Sequence, residues 1–352
     1  MQSKKILFVV HRAPPFPGGS ENYVKNMAEE MLRRGHKPAI YANEHKGSYN
    51  GIPVTNDHNS LVADWDLIVV HGGDCVSQDM AHINAAMIKS PVLYMIIKPS
   101  SSFVCAQGLK YHRFLGYSTS EDQKFLKAYG PVGTFKQTRN RMRRVRHGVN
   151  LKETLGQPIF SNFMLDKKGI RAGDLFLSVG GWWPHKQMNN LAEAFWEANR
   201  PNSILALCGY DANSGPVPSE RHHEEWNRHV VTFTDLPKEM IMAAMCEAKA
   251  YIMNSTEEGF GLVLLEAMLN HTPWIARNIA GAKDLHNINA DFGLVYDTEK
   301  QLTQMLGYDI LLENRDVQKA YEYAMANHTI EATCNDLEDI LIELTPWSQI
   351  NV

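Results

Sequence analysis

The sequence predicts an α/β fold made of two domains, each a parallel sheet covered by helices. Its 352 residues favour two domains of ordinary size over one. Apolar runs of strand length alternate with amphipathic helical segments in both halves, which is the pattern of parallel sheets with helical crossovers. Hydrophobic residues make up 44% of the chain and charged residues 21%, so both domains can form buried cores. We place the two domains at residues 1–157 and 158–327.

The composition disfavours several classes of protein. A formal net charge of -4 argues against a protein that coats nucleic acid, although a local basic patch remains compatible with it. The five cysteines are scattered without a Cys-x-x-Cys pair, which indicates a reduced chain without a structural zinc site. The apolar stretch before His11 is too short for a signal peptide, and no later segment is long enough to span a membrane. We therefore expect a cytoplasmic protein without a transmembrane segment.

The first half begins with an apolar run, Lys5–Val10, which is typical of a buried parallel strand. An amphipathic helix is predicted from Glu21 to the glycine at position 35. Further strands are predicted at Lys37–Ala42, Asp66–His71 and Val92–Ile97, with a helix from about Val76 to Lys89. No Gly-x-Gly-x-x-Gly follows the first strand, which disfavours a dinucleotide-dependent oxidoreductase. Asp64 and Asp66 stand where a loop enters a strand, so we expect no catalytic metal.

The second half repeats the alternation. Strands are predicted at Leu175–Val179, Ser203–Cys208, Val230–Phe233, Ala250–Met253 and Pro273–Ala276, and a last strand begins at Phe292. Helical spacing of apolar residues is found up to Ala198 and within residues 238–248, 302–312, 317–325 and 330–344. Both halves are thus built from the same strand and helix units.

One stretch of the second half, Asn254–Leu269, carries the strongest chemical signal. A short apolar strand leads into a polar turn with two glutamates and two glycines, and an apolar helix follows. The glycines allow close approach of the backbone, and the free amides at the start of the helix favour an anion. Glu258 stands before this helix and Glu266 lies inside it. Because a carboxylate can accept two hydrogen bonds from a vicinal diol, the pair predicts a sugar on each side of a diphosphate.

The pattern Glu258-Gly-Phe-Gly-x4-Glu266 resembles the donor motif of the retaining glycosyltransferases of family 4, enzymes that are similar to glycogen synthase and phosphatidylinositol mannosyltransferases. The resemblance implies the GT-B fold, in which two Rossmann-like domains face each other across a cleft and a last segment, here 328–352, crosses back to the first domain. It also implies that Glu258 contacts the donor sugar and Glu266 the ribose. The diphosphate would lie on the turn between them, formed by Gly259, Phe260, Gly261 and Leu262.

Other landmarks of the family occur in order along the chain. Gly18 and Gly19 match a glycine pair after the first strand that approaches the donor phosphate. Lys186 matches the lysine of a Gly-Arg-x4-Lys-Gly pattern, whose arginine and lysine both hold the diphosphate, but Gly181 replaces the arginine and Gln187 the last glycine. Gly281 matches a glycine of a further turn near the donor. The missing arginine is a departure from the family, and the substitutes considered are Arg12, His185 and Lys98.

The acceptor side is less well marked. Many members of the family carry a histidine after the strand that corresponds to Val92–Ile97; Lys98 stands there in this chain, and His71 is the other candidate for the role. Basic residues then cluster between positions 136 and 146, namely Lys136, Arg139, Arg141, Arg143, Arg144 and Arg146. The cluster is equally consistent with a solvated surface and with a patch that binds phosphate groups on DNA, lipid or sugar. In the second case Arg143 and Arg144 are the residues expected to contact the phosphates.

The sequence therefore predicts a metal-independent, retaining hexosyl- or pentosyltransferase that has no cofactor and takes its sugar from a nucleotide-diphospho-sugar. Lys186 and Glu258 are the predicted catalytic residues. The acceptor is a carbohydrate or a lipid-linked sugar by default, and a modified DNA base is the second possibility. Two other functions fit the same residues: a sugar-nucleotide epimerase, and a non-catalytic module that binds a sugar-nucleotide.

Overall fold

The structure is a computed structural model that describes residues 2–13, 16, 18–43, 46–72, 90–96, 114–129, 141–168, 174–210 and 229–344. The chain divides into two compact units. The first comprises Met1–Val149 together with His328–Val352, and the second comprises Asn150–Asn327. In the described residues each unit contains one sheet of mainly parallel strands, so the predicted α/β class is confirmed.

The sheet of the first unit has the order β3-β4-β2-β1-β5-β6-β7-β8 in the described part of the chain. These strands are β1 (Lys5–Val10), β2 (Lys37–Ala42), β3 (Gly47–Tyr49), β4 (Ile52–Thr55), β5 (Leu67–Gly72), β6 (Val92–Ile96), β7 (Phe114–Tyr117) and β8 (Met142–Arg144). All neighbouring pairs are parallel except β3 and β4. The central strands are apolar and buried on both faces, as a parallel sheet covered by helices requires.

The hairpin of β3 and β4 was absent from the sequence prediction. Asn50 and Gly51 form its turn, and both have positive φ, +48° and +80°. This is the conformation of the tight turn that an Asn-Gly pair favours between antiparallel strands. The Asn-Gly dipeptide therefore indicates a hairpin here, which the sequence prediction missed. The predicted helix at 76–89 lies outside the described residues.

Two long helices of the first unit pack against each other although they come from opposite ends of the chain. Helix α1 (Gly19–Arg33) follows β1, and the last described helix is Ile330–Leu344. His36, just after α1, contacts Glu338 of that helix with 3.1 Å between Nε2 and Oε1. The first unit also contains α2 (Ser120–Tyr129). No helix in the described ranges has the length and apolar character that crossing a membrane requires.

The second unit has a sheet of order β11-β10-β9-β12-β13-β14 in its described residues, with parallel pairs throughout. The strands are β9 (Asp174–Val179), β10 (Ser203–Gly209), β11 (Val230–Thr234), β12 (Ala250–Met253), β13 (Trp274–Arg277) and β14 (Leu294–Tyr296). The helices are α3 (Phe160–Lys168), α4 (Met188–Glu197), α5 (Lys238–Glu247), α6 (Leu262–Leu269), α7 (Ala280–Ile288), α8 (Glu299–Gly307), α9 (Asp309–Glu313) and α10 (Val317–Asn327); Ile330–Leu344 is α11.

The strand order places the site. Strands β9 and β12 are neighbours at the centre of the second sheet. Because they are parallel, the turn after β9 and the turn after β12 emerge at the same edge. In open α/β sheets, ligands bind outside this carboxyl edge. The Lys186 turn and the Glu258 turn are therefore side by side although more than seventy residues of chain separate them.

Candidate functional site

The carboxyl edge of the second sheet brings Lys186 and Glu258 together. The Lys186 ammonium donates to Oε1 of Glu258 over 2.5 Å, and the hydroxyl of the buried Ser255 donates to the same oxygen over 2.6 Å. The side chains are 20% and 14% exposed, so the ion pair is largely withdrawn from water yet reachable from one side. Ser255 is a contact of the predicted carboxylate that the sequence analysis missed.

Two opposing effects set the charge of Glu258. Burial raises the pKa of its carboxyl, while the Lys186 ammonium and the Ser255 hydroxyl lower it, and the net pKa lies below its usual value. Glu258 is therefore a carboxylate at neutral pH. One of its oxygens is held by the lysine and the serine, which leaves the other to accept from a ligand hydroxyl.

The turn after Glu258 is shaped for close backbone contact. Gly261 directly precedes α6 and has a φ of +88°, a conformation that glycine adopts without strain. Among the residues that the structure describes, no side chain caps this helix start. Leu262 is the first residue of the helix and is half-buried, as is Gly259, whereas Phe260 is buried. The first amides of α6 are thus the kind of donors that favour an anion.

Gly281 supports this turn by packing. A Cβ at position 281 would lie 2.3 Å from the Phe260 carbonyl oxygen, so only glycine fits against Phe260. The preceding residue, Ala280, has a φ of +44°, which an alanine adopts only with strain. Ala280 therefore stands in a conformation that is usual for glycine.

Glu266 is the second carboxylate of the site, and it also holds a lysine. Glu266 belongs to α6, and its buried carboxylate accepts a hydrogen bond from the ammonium of Lys238, at the start of α5. Lys238 is 40% exposed, so its ammonium has access to solvent. The sequence analysis did not single out Lys238, because nothing in the chain marks a residue 28 positions before Glu266 as its partner.

The turn after β9 explains why no arginine stands at position 181. A Cβ on Gly181 would lie 2.7 Å from the ring of Trp183 and 2.9 Å from the ring of Tyr210, so these aromatic rings occupy the space that a longer side chain needs. The neighbouring Trp182 is buried in the core beneath Gly209. Gln187, at the position of the family's last glycine, has a φ of +52° and so keeps the left-handed conformation.

In the first unit, Gly18 and Gly19 form the start of α1. Gly18 precedes the helix and is covered by the buried carboxyl of Glu21, whereas a Cβ on Gly19 would meet nothing within 4 Å. Burial raises the pKa of Glu21, and the charge of Arg12 opposes this shift. Gly19 is therefore the more open of the two glycines. Their role in binding a donor stays a prediction.

His71 lies at the end of β5 and is buried. Its ring is 5.3 Å from that of Tyr23, which in turn stacks on His147 at 4.7 Å. Neither of its ring nitrogens has a hydrogen-bond partner within the described ranges. Burial, followed by the nearby His147, lowers its pKa to about 3, so His71 is neutral. Lys98, the other candidate for the family's histidine, lies outside the described residues.

Part of the basic cluster is engaged by the last helix. Arg143 pairs with Glu343 and lies over the ring of Phe114 at 4.7 Å. The Arg146 side chain pairs with both carboxylate oxygens of Asp336, with 2.6 Å from Nη2 to Oδ1 and 3.0 Å from Nε to Oδ2. Arg144 is exposed, and positions 136 and 139 lie outside the described residues. The helix α11 therefore neutralises two of these arginines.

The predicted donor residues of the second unit thus lie on three adjoining turns and on α6, which follows one of them. Comparison with known proteins shows which families and structures this chain is similar to. Residues 164–328 match the protein family described as Glycosyl transferases group 1. Glycosyltransferase 1 domain-containing protein 1 of Xenopus tropicalis is 27% identical over 175 residues, which are 48% of this chain and 50% of that protein. The chain spans about half the length of the curated relative that it matches.

Solved structures resemble the whole chain. HepE of Anabaena in complex with UDP and glucose covers 96% of this chain and 99% of its own, with a TM-score of 0.75 and 17% identity. Sucrose-phosphate synthase of Thermosynechococcus elongatus covers 97% and 99%, with a TM-score of 0.78 and 16% identity. A glycosyltransferase of Rickettsia africae covers 98% and 99%, with a TM-score of 0.76 and 15% identity. The predicted GT-B fold is confirmed, and residues 164–328 carry a sequence similarity to group 1 glycosyltransferases.

Proposed function

We propose that this protein is a retaining glycosyltransferase of family 4 that transfers a hexosyl or pentosyl group from a nucleotide-diphospho-sugar to an acceptor hydroxyl. The observation that carries the proposal is the contact of Lys186 with Glu258 beside the glycine turn that begins α6. A cation, backbone amides and an ionised carboxylate are the groups that a diphosphate and a sugar require. A cytoplasmic location stays a prediction.

The two carboxylate and lysine pairs suggest how the site receives a donor. In the structure each carboxylate accepts from an ammonium, Glu258 from Lys186 and Glu266 from Lys238. A donor brings hydroxyls that the carboxylates can accept and a diphosphate that the ammonium groups can hold. In our proposal Glu258 takes hydroxyls of the sugar and Glu266 those of the ribose, while both lysines turn to the diphosphate. Lys238 would supply the second positive charge, which an arginine provides in the family pattern and which is missing here because position 181 is a glycine.

The transfer step then needs no strong base on the protein. The bond between the sugar and the diphosphate breaks as the acceptor hydroxyl attacks from the same face, and a departing phosphate oxygen takes the hydroxyl proton. Negative charge grows on the leaving diphosphate, and Lys186 with the first amides of α6 stabilises it, which is worth several kcal/mol in comparable sites, about 3–4 for one donor. We propose that no metal or further cofactor takes part, so activity should survive EDTA.

The acceptor is proposed to be a carbohydrate or a lipid-linked sugar. A DNA base is the weaker proposal, because Arg143 and Arg146 are held by carboxylates of α11 and present less positive charge to a phosphate backbone. Affinity for duplex DNA at two salt concentrations separates the two. A DNA acceptor requires binding at low salt that weakens steeply as salt rises, and no binding at low salt ends that proposal.

Product analysis tests the proposed reaction. We suggest incubating the protein with UDP-glucose first, because HepE was solved with UDP and glucose, and then with sugar-nucleotides of other bases and sugars. Slow hydrolysis followed by NMR should release a sugar of the same anomeric configuration as the donor. An inverted sugar contradicts the retaining mechanism. An epimerised sugar-nucleotide supports the epimerase, and binding without turnover supports the binding module.

The variant Glu258→Gln ties that activity to the site. It keeps the size of the side chain but removes the negative charge that is proposed to accept the hydroxyls of the sugar, so turnover should fall by about a hundredfold. The neighbouring exposed glutamate provides a matched control, and Glu257→Gln should leave turnover within about twofold of the wild type. Equal turnover of Glu258→Gln and the wild type would show that this carboxylate has no role in the reaction.

A further inference from the structure

The buried side-chain amide of Asn254 connects the ends of β12, β13 and β14 to the turn that carries Lys186. Asn254 follows β12 and is 1% exposed. Its Oδ1 accepts from the Tyr296 hydroxyl over 2.5 Å and from a terminal guanidinium nitrogen of Arg277 over 2.9 Å, and its Nδ2 donates to the Gln187 carbonyl over 3.1 Å. Two donors face the oxygen and a carbonyl faces the nitrogen, so the orientation of the amide is determined by its partners.

The two donors are themselves held in place. Arg277 and Tyr296 are paired residues at the ends of β13 and β14, and the guanidinium lies 5.4 Å from the centre of the Tyr296 ring. The same guanidinium nitrogen of Arg277 also donates to Glu299 at the start of α8. Tyr296 is buried and Arg277 is 16% exposed. These contacts prevent Asn254 from rotating away from Gln187.

Gln187 is the residue that needs such a restraint. Its backbone is left-handed, with φ and ψ of 52° and 36°, which is unfavourable for a residue with a side chain. In the described residues, the Gln187 carbonyl accepts from the Asn254 side chain and from the Leu191 backbone amide over 3.0 Å. The Gln187 side chain and backbone amide both donate to the Pro184 carbonyl, over 2.8 Å and 3.2 Å. Lys186 directly precedes it. A relaxation of Gln187 would therefore turn the peptide that aims the Lys186 ammonium at Glu258.

We propose that Asn254, held by Arg277 and Tyr296, is a positioning residue that keeps Gln187 left-handed and so holds Lys186 beside Glu258, where its ammonium can turn to the diphosphate. The inference rests on the proposed donor site, because it assigns a purpose to the direction of Lys186. Asn254 does not touch the reacting atoms in this account. A glycine at position 187 would adopt the left-handed conformation unaided, whereas the glutamine is held in it by a hydrogen bond from a residue distant in sequence.

The substitution Asn254→Asp tests the hydrogen bond with almost no change in shape. The carboxylate still accepts from Arg277 and Tyr296, but its second oxygen faces the Gln187 carbonyl and repels it. The dissociation constant of the nucleoside diphosphate that binds the wild type best, among UDP, GDP, ADP and CDP, should rise about tenfold. Tyr296→Phe, which removes one donor to Asn254 and keeps the ring, should give a smaller loss of about threefold.

Rescue by glycine separates positioning from a general structural role. A glycine at position 187 adopts the left-handed conformation unaided. Gln187→Gly alone should therefore leave the dissociation constant within about twofold of the wild type, and in that background Asn254→Asp should raise it by less than about threefold. An equal loss in both backgrounds overturns the proposal, as does the absence of a loss in either.

A ligand-free measurement keeps this test separate from that of the donor site. If no nucleoside diphosphate binds the wild type, it is the proposed function that fails. The network is then tested by the thermal midpoint of the second unit, which Asn254→Asp should lower by about 4 °C in the wild-type background and by about half as much beside Gln187→Gly. Equal shifts in the two backgrounds contradict the positioning role.

Discussion

At the scale of single residues, the site contains charges that the sequence motif did not show. Lys238 pairs with Glu266 just as Lys186 pairs with Glu258. The motif identified both carboxylates because their spacing is local, within one turn and one helix. The partners come from the turn after β9 and from the start of α5, and their proximity depends on the order of strands in the sheet. Contacts between distant parts of the chain cannot be read from a local pattern.

Replacing Lys238 with alanine tests whether it is the second cation of the site. Lys238→Ala should weaken the binding of the preferred nucleoside diphosphate about tenfold, because one charge-assisted contact to phosphate is lost. Binding of the same nucleoside without phosphates should change by less than about twofold. Calorimetric titration of both ligands measures this, with Lys300→Ala on the exposed face of α8 as the control. Equal losses for nucleoside and nucleoside diphosphate would contradict a phosphate contact.

Strained backbone positions give a second prediction at this scale. Ala280 has a positive φ, so Ala280→Gly should remove strain and raise the free energy of unfolding by about 0.5–1 kcal/mol. Ala198, with a φ of -66°, is the control, and Ala198→Gly should lower stability by up to about 1 kcal/mol. Urea denaturation of both variants measures the difference. A loss of stability in Ala280→Gly would show that its conformation carries no strain.

At the scale of structural elements, the sequence predicted most strands and missed β3, β4 and β8 of the first unit. Central parallel strands are continuous apolar runs such as Lys5–Val10 and Ala250–Met253, and these were predicted at the bounds that the structure has. The strand β8 was missed because its residues are Met142, Arg143 and Arg144. Such a strand is stabilised by the neighbouring β7 and by α11, so its own composition gives no signal.

The contact of α11 with the basic segment is testable by stability. Asp336 accepts from the Arg146 side chain and from its backbone amide at 2.8 Å, and its side chain is 14% exposed. Asp336→Ala should therefore lower the free energy of unfolding of the first unit by about 2 kcal/mol, because it leaves a half-buried arginine without its carboxylate. Glu343→Ala breaks a more exposed pair and should cost less than about 1 kcal/mol.

Denaturation monitored separately for the two units measures this difference. If the two substitutions cost the same, the burial of the Asp336 pair does not strengthen it. If neither has an effect, the arginines are not held by α11, and the reason for disfavouring a phosphate-binding role of the basic cluster is removed.

At the scale of the whole molecule, the two units should respond differently to acid. His71 and His147 have pKa values lowered to about 3, and His328 to about 4, in each case first by burial. The unfolded chain binds protons on these residues near pH 6.5, whereas the folded chain does not. The contribution of these histidines to the stability of the first unit is therefore fully present above pH 6.5 and is lost as the pH falls toward 3. In the second unit, the Glu258 pair loses stability only below pH 4.5, the ordinary pKa of the carboxyl.

The variant His71→Phe isolates one of these groups. Each histidine contributes about 1.4 kcal/mol per pH unit, so between pH 6.5 and pH 5 the wild type should lose about 2 kcal/mol more stability than the variant. The raised pKa values of the buried Glu21 and Asp122 act in the opposite direction, but they are present in both proteins. His58→Phe, the same substitution at an exposed histidine of the same unit, is the matched variant for comparison. Parallel curves for wild type and His71→Phe would contradict the depressed pKa.

The central claim is that the second unit binds the diphosphate of a sugar-nucleotide through Lys186 beside Glu258. Calorimetric titration of the wild type and Lys186→Ala with UDP, GDP, ADP and CDP measures it most directly. We predict that one of these ligands binds the wild type, that Lys186→Ala weakens this binding at least about thirtyfold, and that Lys300→Ala leaves it unchanged. Binding of equal strength in the wild type and Lys186→Ala, or no binding of any of the four to the wild type, would contradict the claim.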